Sequence, residues 1–346
     1  MARGEERSRS EPAGWRAAAR LHHQYFTGLL LYVQQKHGEA GGSELIYRIF
    51  RRQRGEKFVA GLKTLGLDAL PPAVAAAQFI YLANLVGGVK VEYMPENERK
   101  AWVRYPPPRW AYEGPAICAV PRETSIAFLR AFHSQVGASL GNPRLGFVCT
   151  GITTDGDPGL EGYFIEEPHE LAETERLRFR PEESGPDFDP ALAPRLDWDE
   201  TRLLKARRNY AVQYIRVALP VLEEIFGAGE GAALGRAAAR LVAMQAYDET
   251  AGMLDVRDRD APAFARYLEA MLRGGGDEAR IVQAGSEIMV EALRLRVLEG
   301  EGAGSTASRF PAWNGLWEGA LAVHNRHLTL AVENHEPWRW RIGKEV

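Results

Sequence analysis

The sequence predicts an α+β protein built as a tandem pseudo-repeat, in which each half packs helices on a small antiparallel sheet. Three observations support this prediction. Segments with helical and alternating periodicity follow one another in the same order in the two halves of the 346 residues. Matching landmarks recur at offsets that drift between 186 and about 199 positions, and the histidines His133 and His324 are 191 positions apart. A segment rich in proline and acidic residues separates the halves.

The first half is predicted to contain helices, a pair of strands, a further helix and a final strand. An additional amphipathic helix over 15–38 precedes a helix over 45–65 and one that ends at Gly88, a residue suited to a helix C-cap. The alternating segments 89–94 and 100–105 predict two antiparallel strands, and a third helix is expected over 124–136.

The second half repeats this order. A helix before the repeat is expected over 199–226, followed by helices over 234–254 and up to Gly274. The segment 287–297 predicts the strand counterpart, and a third helix is expected over 315–332. The predicted domains are therefore 13–166 and 201–346, with 167–200 as an acidic, proline-rich linker whose composition offers little apolar surface to bury.

Composition limits the function classes. The formal net charge is −3, so the chain has no global electrostatic reason to bind nucleic acid or anionic lipid. Two cysteines exclude a disulfide scaffold and favour a reducing compartment, and neither a secretory signal nor a membrane span is expected. We therefore expect a cytoplasmic protein whose partner is a small molecule, and leave a homodimer open.

Several motifs match catalytic patterns only in letters. Gly137-x-Ser139-x-Gly141 follows a helix, whereas a nucleophile elbow must follow a strand. The pairs Arg51-Arg52 and Arg207-Arg208 are too small for a nucleic-acid face and are interpreted as solvated surface.

Two histidines raise the question of a metal. His324 and His327 are three positions apart in the predicted helix over 315–332, which would place both imidazoles on one face. A divalent metal there is the less favoured interpretation, and buried or solvent-facing histidines the more favoured one. No cofactor is otherwise predicted.

One pair of residues suggests nucleophilic chemistry. The thiol of Cys118 and the imidazole of His133 could act as nucleophile and base if the loop folds back onto the helix. The alternative is that Cys118 is a small buried core residue. Asp155, in the Gly-Asp turn at 155–157, is a candidate catalytic acid, although turn formation alone also explains it.

Aromatic residues at matched places in the two halves suggest the walls of a pocket. The candidate ligand-binding residues are Trp102, Arg109, Trp110, Cys149, Trp313, Asn314, Trp317 and His324. In this hypothesis Arg109 meets an anionic group of the ligand. The alternative, held about equally, is that the aromatic side chains only close the two cores.

The segment 89–166 carries a family resemblance. It contains Cys118-Ala-Val-Pro, a helix with Phe132-His133, the small-residue turn at 137–145, the strand ending in Cys149, and a Gly-Asp turn before a last strand. This order resembles the L-2-amino-thiazoline-4-carboxylic acid hydrolase-like family and, more distantly, vinyl-4-reductase-like ligand-binding domains. The second half resembles them more faintly.

The resemblance implies a hydrolase that opens a small cyclic C–N compound, with water or a thiolate attacking an amidine-like carbon while His133 moves the proton. The alternative function is a non-catalytic protein that holds a planar or apolar ligand between the halves. A scaffold that only dimerises is a weaker third hypothesis.

Overall fold

The computed structural model describes residues 2–108, 114–285, 287–299 and 306–344. It confirms the α+β class and the presence of two sheet-bearing halves. The chain forms two compact units. We call Val33–Trp198 the first unit, and the residues up to Tyr32 together with those from Asp199 onward the second unit. Among the described residues, no helix combines the length and apolar composition needed to cross a bilayer.

The first unit contains helices α1 (Ala2–Thr64, from Val33 onward), α2 (Pro72–Gly87), α3 (Arg122–Ala131) and the short α4 (Val136–Ser139). Its strands are β1 (Glu92–Asn97), β2 (Lys100–Tyr105), β3 (Leu145–Gly151), β4 (Leu160–Glu166) and β5 (Leu177–Phe179). They form one sheet in the order β1-β2-β4-β3-β5. All pairings are antiparallel except β3 with β5, which is parallel.

The second unit contains the first part of α1 together with α5 (Glu200–Phe226), α6 (Ala228–Met253), α7 (Ala261–Gly275) and α8 (Thr306–His324). Its strands are β6 (Ala279–Ala284), β7 (Glu287–Ala292), β8 (Leu328–Glu333) and β9 (Trp338–Lys344). They form an antiparallel sheet in the order β6-β7-β9-β8.

The predicted pseudo-repeat is visible in this topology. The order β1-β2-β4-β3 in the first unit is the order β6-β7-β9-β8 in the second. The helix before each sheet ends on a left-handed glycine: Gly88 has a φ of 78° after α2, and Gly276 has a φ of 101° after α7. The predicted helix end at Gly274 is therefore one residue too early, because α7 continues to Gly275 and Gly276 is its cap.

The compact units differ from the predicted domains in two respects. Residues 13–32 belong to the second unit rather than the first. The segment predicted as a linker is part of the first unit, because β5 pairs with β3 and Phe188 packs against the sheet. Backbone pairing of β5 and the packing of a few apolar side chains hold this segment on the sheet. The average composition of the segment does not reveal either contact.

One predicted helix is too long. The helix expected over 315–332 begins earlier and ends at His324, and Leu328 then starts β8. The side-chain oxygen of Asn325 accepts a hydrogen bond from the backbone N–H of His327 at 3.0 Å, which favours a turn over another helical turn.

Candidate functional site

The first unit places His133 inside its core. The residue follows α3 in a short 3-10 helix and is 1% exposed. Its Nε2 lies 3.0 Å from the hydroxyl of Tyr105, and its ring stacks on Phe164 with centroids 5.6 Å apart and meets Phe147 edge-on at 4.7 Å. A predicted general base that lies among aromatic rings has no direct route to solvent in this conformation.

The two cysteines occupy different environments. Cys118 is exposed in the 3-10 helix Gly114–Ala119, so the prediction that it shares a site with the buried His133 finds no support in their burial. Cys149 lies in β3, and burial raises the pKa of its thiol to about 12. The Cys149 thiol is therefore protonated at neutral pH and is a poor nucleophile.

The remaining candidates of the first unit have structural contacts. The Asp155 carboxylate accepts a hydrogen bond from Arg122 Nε at 2.7 Å near the surface. Trp102 lies in β2, where its indole N–H donates to Glu96 at 2.7 Å and its ring meets Tyr163 at 4.5 Å. Arg109 and Trp110 lie outside the described residues.

In the second unit, the predicted ligand-binding residues of α8 are core residues. Trp313 and Trp317 are each 1% exposed and pack edge-to-face at 5.2 Å. The side-chain oxygen of Asn314 accepts a hydrogen bond from the indole of Trp340 at 2.8 Å. These contacts hold α8 against the sheet.

The predicted histidine pair does not form. Both ring nitrogens of His324 are engaged, because Nδ1 is bonded to the hydroxyl of Tyr247 and Nε2 lies 2.8 Å from the carbonyl oxygen of Asp260. Burial lowers the pKa of His324, so the ring is neutral. His327 lies beyond the end of α8 at the surface. Within the described ranges, no group of three or more histidine, cysteine or acidic side chains is arranged to hold a metal ion.

A polar cluster that the sequence interpretation missed lies where α7 ends. Arg208 of α5 is 3% exposed, so the prediction that Arg207-Arg208 is solvated surface is wrong for this residue. Its Nη1 donates to the carbonyl oxygen of Gly274 at 3.0 Å, and its Nε is buried without a hydrogen-bond partner among the described residues. Burial, with the nearby charge of Arg296, lowers the pKa of Arg208 to about 10.

Arg208, Arg296 and Asp277 form what we call the Arg–Asp cluster. A Cβ atom at Gly276 would lie 2.4 Å from Nη1 of Arg296 and 2.8 Å from Nη1 of Arg208, so both guanidinium groups converge on this glycine. The carboxylate of Asp277 accepts a hydrogen bond from the backbone N–H of Arg296 at 2.8 Å. Burial raises the pKa of Asp277 to about 7, which reduces the negative charge available to balance the arginines.

A small chamber adjoins the cluster. Its lining includes His22, Asp277, Trp313 and Trp317, and its volume of about 10 Å³ suits a single water molecule. The indole N–H of Trp317 is buried without a hydrogen-bond partner in the described part of the chain. His22 uses both nitrogens, with Nδ1 at 2.7 Å from the carbonyl oxygen of Ala18 and Nε2 accepting from Trp313 at 3.4 Å. Burial lowers the pKa of His22 to about 4, so its ring is neutral.

A larger cleft opens on the other side of the same segment. It has a volume of about 570 Å³. Residues 11–15 of α1, the end of α6 and the end of α7 form its walls. Trp15, Met253 and Leu254 supply apolar surface, and the charged lining residues are Glu11, Asp255, Glu269, Arg273 and Asp277. The volume is within the range of small-molecule sites.

The sequence contained a signal for this site. Arg208 is four residues before Val212 and seven before Ile215, both buried, so it continues the apolar stripe of α5. A charged residue on an apolar stripe indicates a buried polar function or a cap. The three glycines at 274–276, directly before Asp277, mark the close approach of backbone and guanidinium groups.

Comparison with protein-family models, with curated proteins and with solved structures gives no significant match. The resemblance to the thiazoline hydrolase-like family therefore stays a prediction.

Proposed function

We propose that the second unit is a binding module for a small anionic molecule with an apolar body, held in the cleft beside the Arg–Asp cluster. The observation that carries this proposal is the buried guanidinium of Arg208. Its Nε has no hydrogen-bond partner among the described residues, although the charges of Asp277 and Glu11 act on it through space. A buried charge that is incompletely balanced costs free energy, and a bound anion would offset that cost.

The groups that favour an anion are the two arginines behind Gly276, because the charged residues that line the cleft itself are mostly acidic. Two guanidinium groups meet at Gly276, while the pKa of Asp277 is raised to about 7. Glycine at 276 leaves no side chain between the wall of the cleft and the two arginines. Guanidinium groups pair well with carboxylate and phosphate oxygens, because their N–H donors form a planar fork.

The apolar side of the cleft favours a ligand with a ring or a short chain. Trp15, Met253 and Leu254 can contact such a body while the anionic end points toward the cluster. This function is the non-catalytic alternative of the sequence analysis, except that the ligand binds within the second unit and not between the halves. Ring opening of a cyclic C–N compound stays a prediction, and neither the thiol of Cys149 nor the buried His133 favours it.

Thermal unfolding of the full chain tests the proposal with benzoate, succinate and inorganic phosphate as probes, against sodium chloride at matched ionic strength. At least one of these anions is expected to raise the melting temperature, because a ligand that binds only the folded state stabilises it by about 2.7 kcal/mol at a hundred times its Kd. The substitution Arg208→Met is expected to abolish this increase.

The matched control is Arg266→Met, which removes a half-exposed arginine of the same unit. It should leave the anion effect unchanged. Without ligand, the Arg208→Met protein should be about as stable as the wild type, since removal of an incompletely balanced buried charge offsets the lost hydrogen bond to Gly274. An anion effect of equal size in the wild type and Arg208→Met, or no effect with any probe, would contradict the proposal.

A further inference from the structure

Residues 183–188 cross the outer face of the sheet in the first unit, and we call this segment the strap. Its sequence is Glu-Ser-Gly-Pro-Asp-Phe. The chain leaves β5 with the backbone N–H of Arg180 bonded to the carbonyl oxygen of Cys149 at 2.9 Å, and then passes over the neighbouring strands. The strap has no helical or strand structure of its own.

The sheet binds the main chain of the strap through two side chains. The carboxylate of Glu161 accepts a hydrogen bond from the backbone N–H of Gly185 at 2.8 Å. Arg104 donates from Nη2 to the carbonyl oxygen of Pro186 at 3.2 Å. Glu161 is itself positioned by Arg104 and by the hydroxyl of Thr150 at 3.1 Å, so the two groups that contact the strap also hold each other.

Gly185 of the strap presses on the indole of Trp102. A Cβ atom at position 185 would lie 3.0 Å from Cε3 of Trp102 and 3.2 Å from Cε of Met94. A larger side chain could not be seated here without movement of the strap.

Phe188 supplies an aromatic anchor at the end of the strap. Its ring packs against the buried cluster of Met94, Trp102, Val148 and Tyr163, and its centroid lies 6.5 Å from that of Tyr81. The face therefore selects glycine at one position and an aromatic ring three positions later.

Charge complements these contacts. The carboxylate of Glu183 is bonded to Arg180 and to the hydroxyl of Tyr163, and it lies in the positive field of Lys100. These groups lower the pKa of Glu183, and the hydrogen bond with Arg180 has the largest effect. Lys100 stands over the ring of Tyr163 with its Nζ 4.2 Å from the centroid.

We propose that this sheet face is a peptide-recognition surface and that the strap is its internal ligand. Main-chain hydrogen bonds to fixed side chains, a close glycine contact, an aromatic anchor and a complementary charge are the contacts by which domains bind extended peptides. The partner that fits is an extended acidic segment with the pattern Glu-x-Gly-Pro-x-aromatic. Such a segment displaces the strap and takes over its contacts with Glu161, Arg104 and the Trp102 ring.

The strap competes with a free peptide at high effective concentration. A segment tethered by a short flexible connection is present at an effective millimolar concentration. A free peptide at micromolar concentration therefore binds poorly while the strap is seated and well once the strap has been weakened. This difference provides the test.

The test uses the full chain with the double substitution Gly185→Val and Phe188→Ala, which weakens the strap at its two apolar contacts. A fluorescein-labelled peptide of residues 181–190 is titrated, and its anisotropy measured. We expect binding at least tenfold tighter to this variant than to the wild type. The same peptide with alanine at the position of Phe188 should lose most of the affinity. The matched control, Ser184→Val with Asp187→Ala, changes exposed strap positions and should behave as the wild type.

Two results would overturn the proposal. One is equal affinity of the folded double variant and the wild type, or equal affinity for the two peptides. The other is a double variant that no longer folds, as judged by circular dichroism and thermal unfolding. A segment required for folding is part of the core, whereas an exchangeable ligand can leave a folded unit.

Discussion

The two sheets have the same strand order but opposite charge patterns on their outer faces. At the centre of the first sheet, Arg104 of β2 lies between Glu92 of β1 and Glu161 of β4. At the matching place in the second sheet, Glu291 of β7 lies between Arg280 of β6 and Arg339 of β9. Both arrangements satisfy cross-strand pairing, so the topology alone does not fix which sign stands in the middle.

The difference decides what each face can bind. The arginine at the centre of the first sheet has N–H groups left for the carbonyl oxygen of Pro186, and the strap covers that face. The Glu291 side chain is only 8% exposed, but its partners Arg280 and Arg339 are 70% and 32% exposed, so the arginines of this set reach solvent. The two sheets thus share a strand order, and the strap covers this face of the first one.

A second difference lies at the junction between helix and sheet. The left-handed glycine after α2 is followed by Val89, which is buried. The left-handed glycine after α7 is followed by Asp277, beside two arginines. The same backbone turn therefore closes an apolar core in the first unit and presents the Arg–Asp cluster in the second.

The largest expected effect comes from the centre of the covered sheet. Arg104→Met removes the counter-charge of Glu92 and Glu161, whose side chains are only 15% and 11% exposed. We expect the free energy of unfolding to fall by about 3 kcal/mol, because two like charges remain unpaired at a partly buried place. Urea unfolding followed by circular dichroism measures the change. Adding Glu92→Gln should recover part of the loss, and a double variant as unstable as Arg104→Met alone would count against this explanation.

An intermediate effect with a pH signature is expected at the junction. The pKa of Asp277 is raised from 3.8 to about 7 in the folded chain, so its contribution to stability is present below pH 4 and is lost as the pH rises toward 7. Asp277→Asn should therefore be more stable than the wild type at pH 8, by about 2 kcal/mol after allowance for partial exposure, and equal to it at pH 3.5.

Three charged groups also act on the pKa of Asp277. Arg296 and Arg208 lower it and Glu299 raises it, but burial has the largest effect, so the pKa is raised overall. Urea unfolding at the two pH values measures this difference, with Asp258→Asn at an exposed aspartate of the same unit as the matched control for the change from carboxylate to amide. A stability difference that does not change with pH would show that the pKa of Asp277 is the same in the folded and the unfolded chain, and would contradict this prediction.

The sequence was informative wherever periodicity or a cap carries the signal. It predicted the class, the repeated order of elements and the glycine after α2, because helical and alternating periods and left-handed caps are local properties. It did not predict that α8 ends at His324, since that end depends on the side chain of Asn325. Composition does not predict that the strap packs on the sheet. The strap is held by hydrogen bonds to its main chain and by the ring of Phe188, and the composition of the segment reveals neither.

The candidate site was predicted less well than the fold. Residue type alone points to histidine and tryptophan as site residues, but His133, Trp313 and Trp317 are buried core residues. The pair Arg207-Arg208 predicts a solvated surface, although the spacing of Arg208 from Val212 places it on the buried stripe of α5. Whether a polar residue is a core element or a site depends on the partners it meets from distant elements, and one sequence does not contain that information.

The smallest expected effect is at the exposed face of the second sheet. Glu291→Gln should lower the free energy of unfolding by about 1 kcal/mol or less, because Gln keeps one acceptor and the arginines reach water when unpaired. Hydrogen bonds from Arg280 and, to a smaller extent, Arg339 lower the pKa of Glu291 in the folded chain. The loss should therefore be seen at pH 7 and disappear as the pH falls through that lowered pKa. Urea unfolding at pH 7 and at a series of lower pH values measures it. A loss as large as that of Arg104→Met would mean that the second face is also covered, and the contrast between the two sheets would no longer hold.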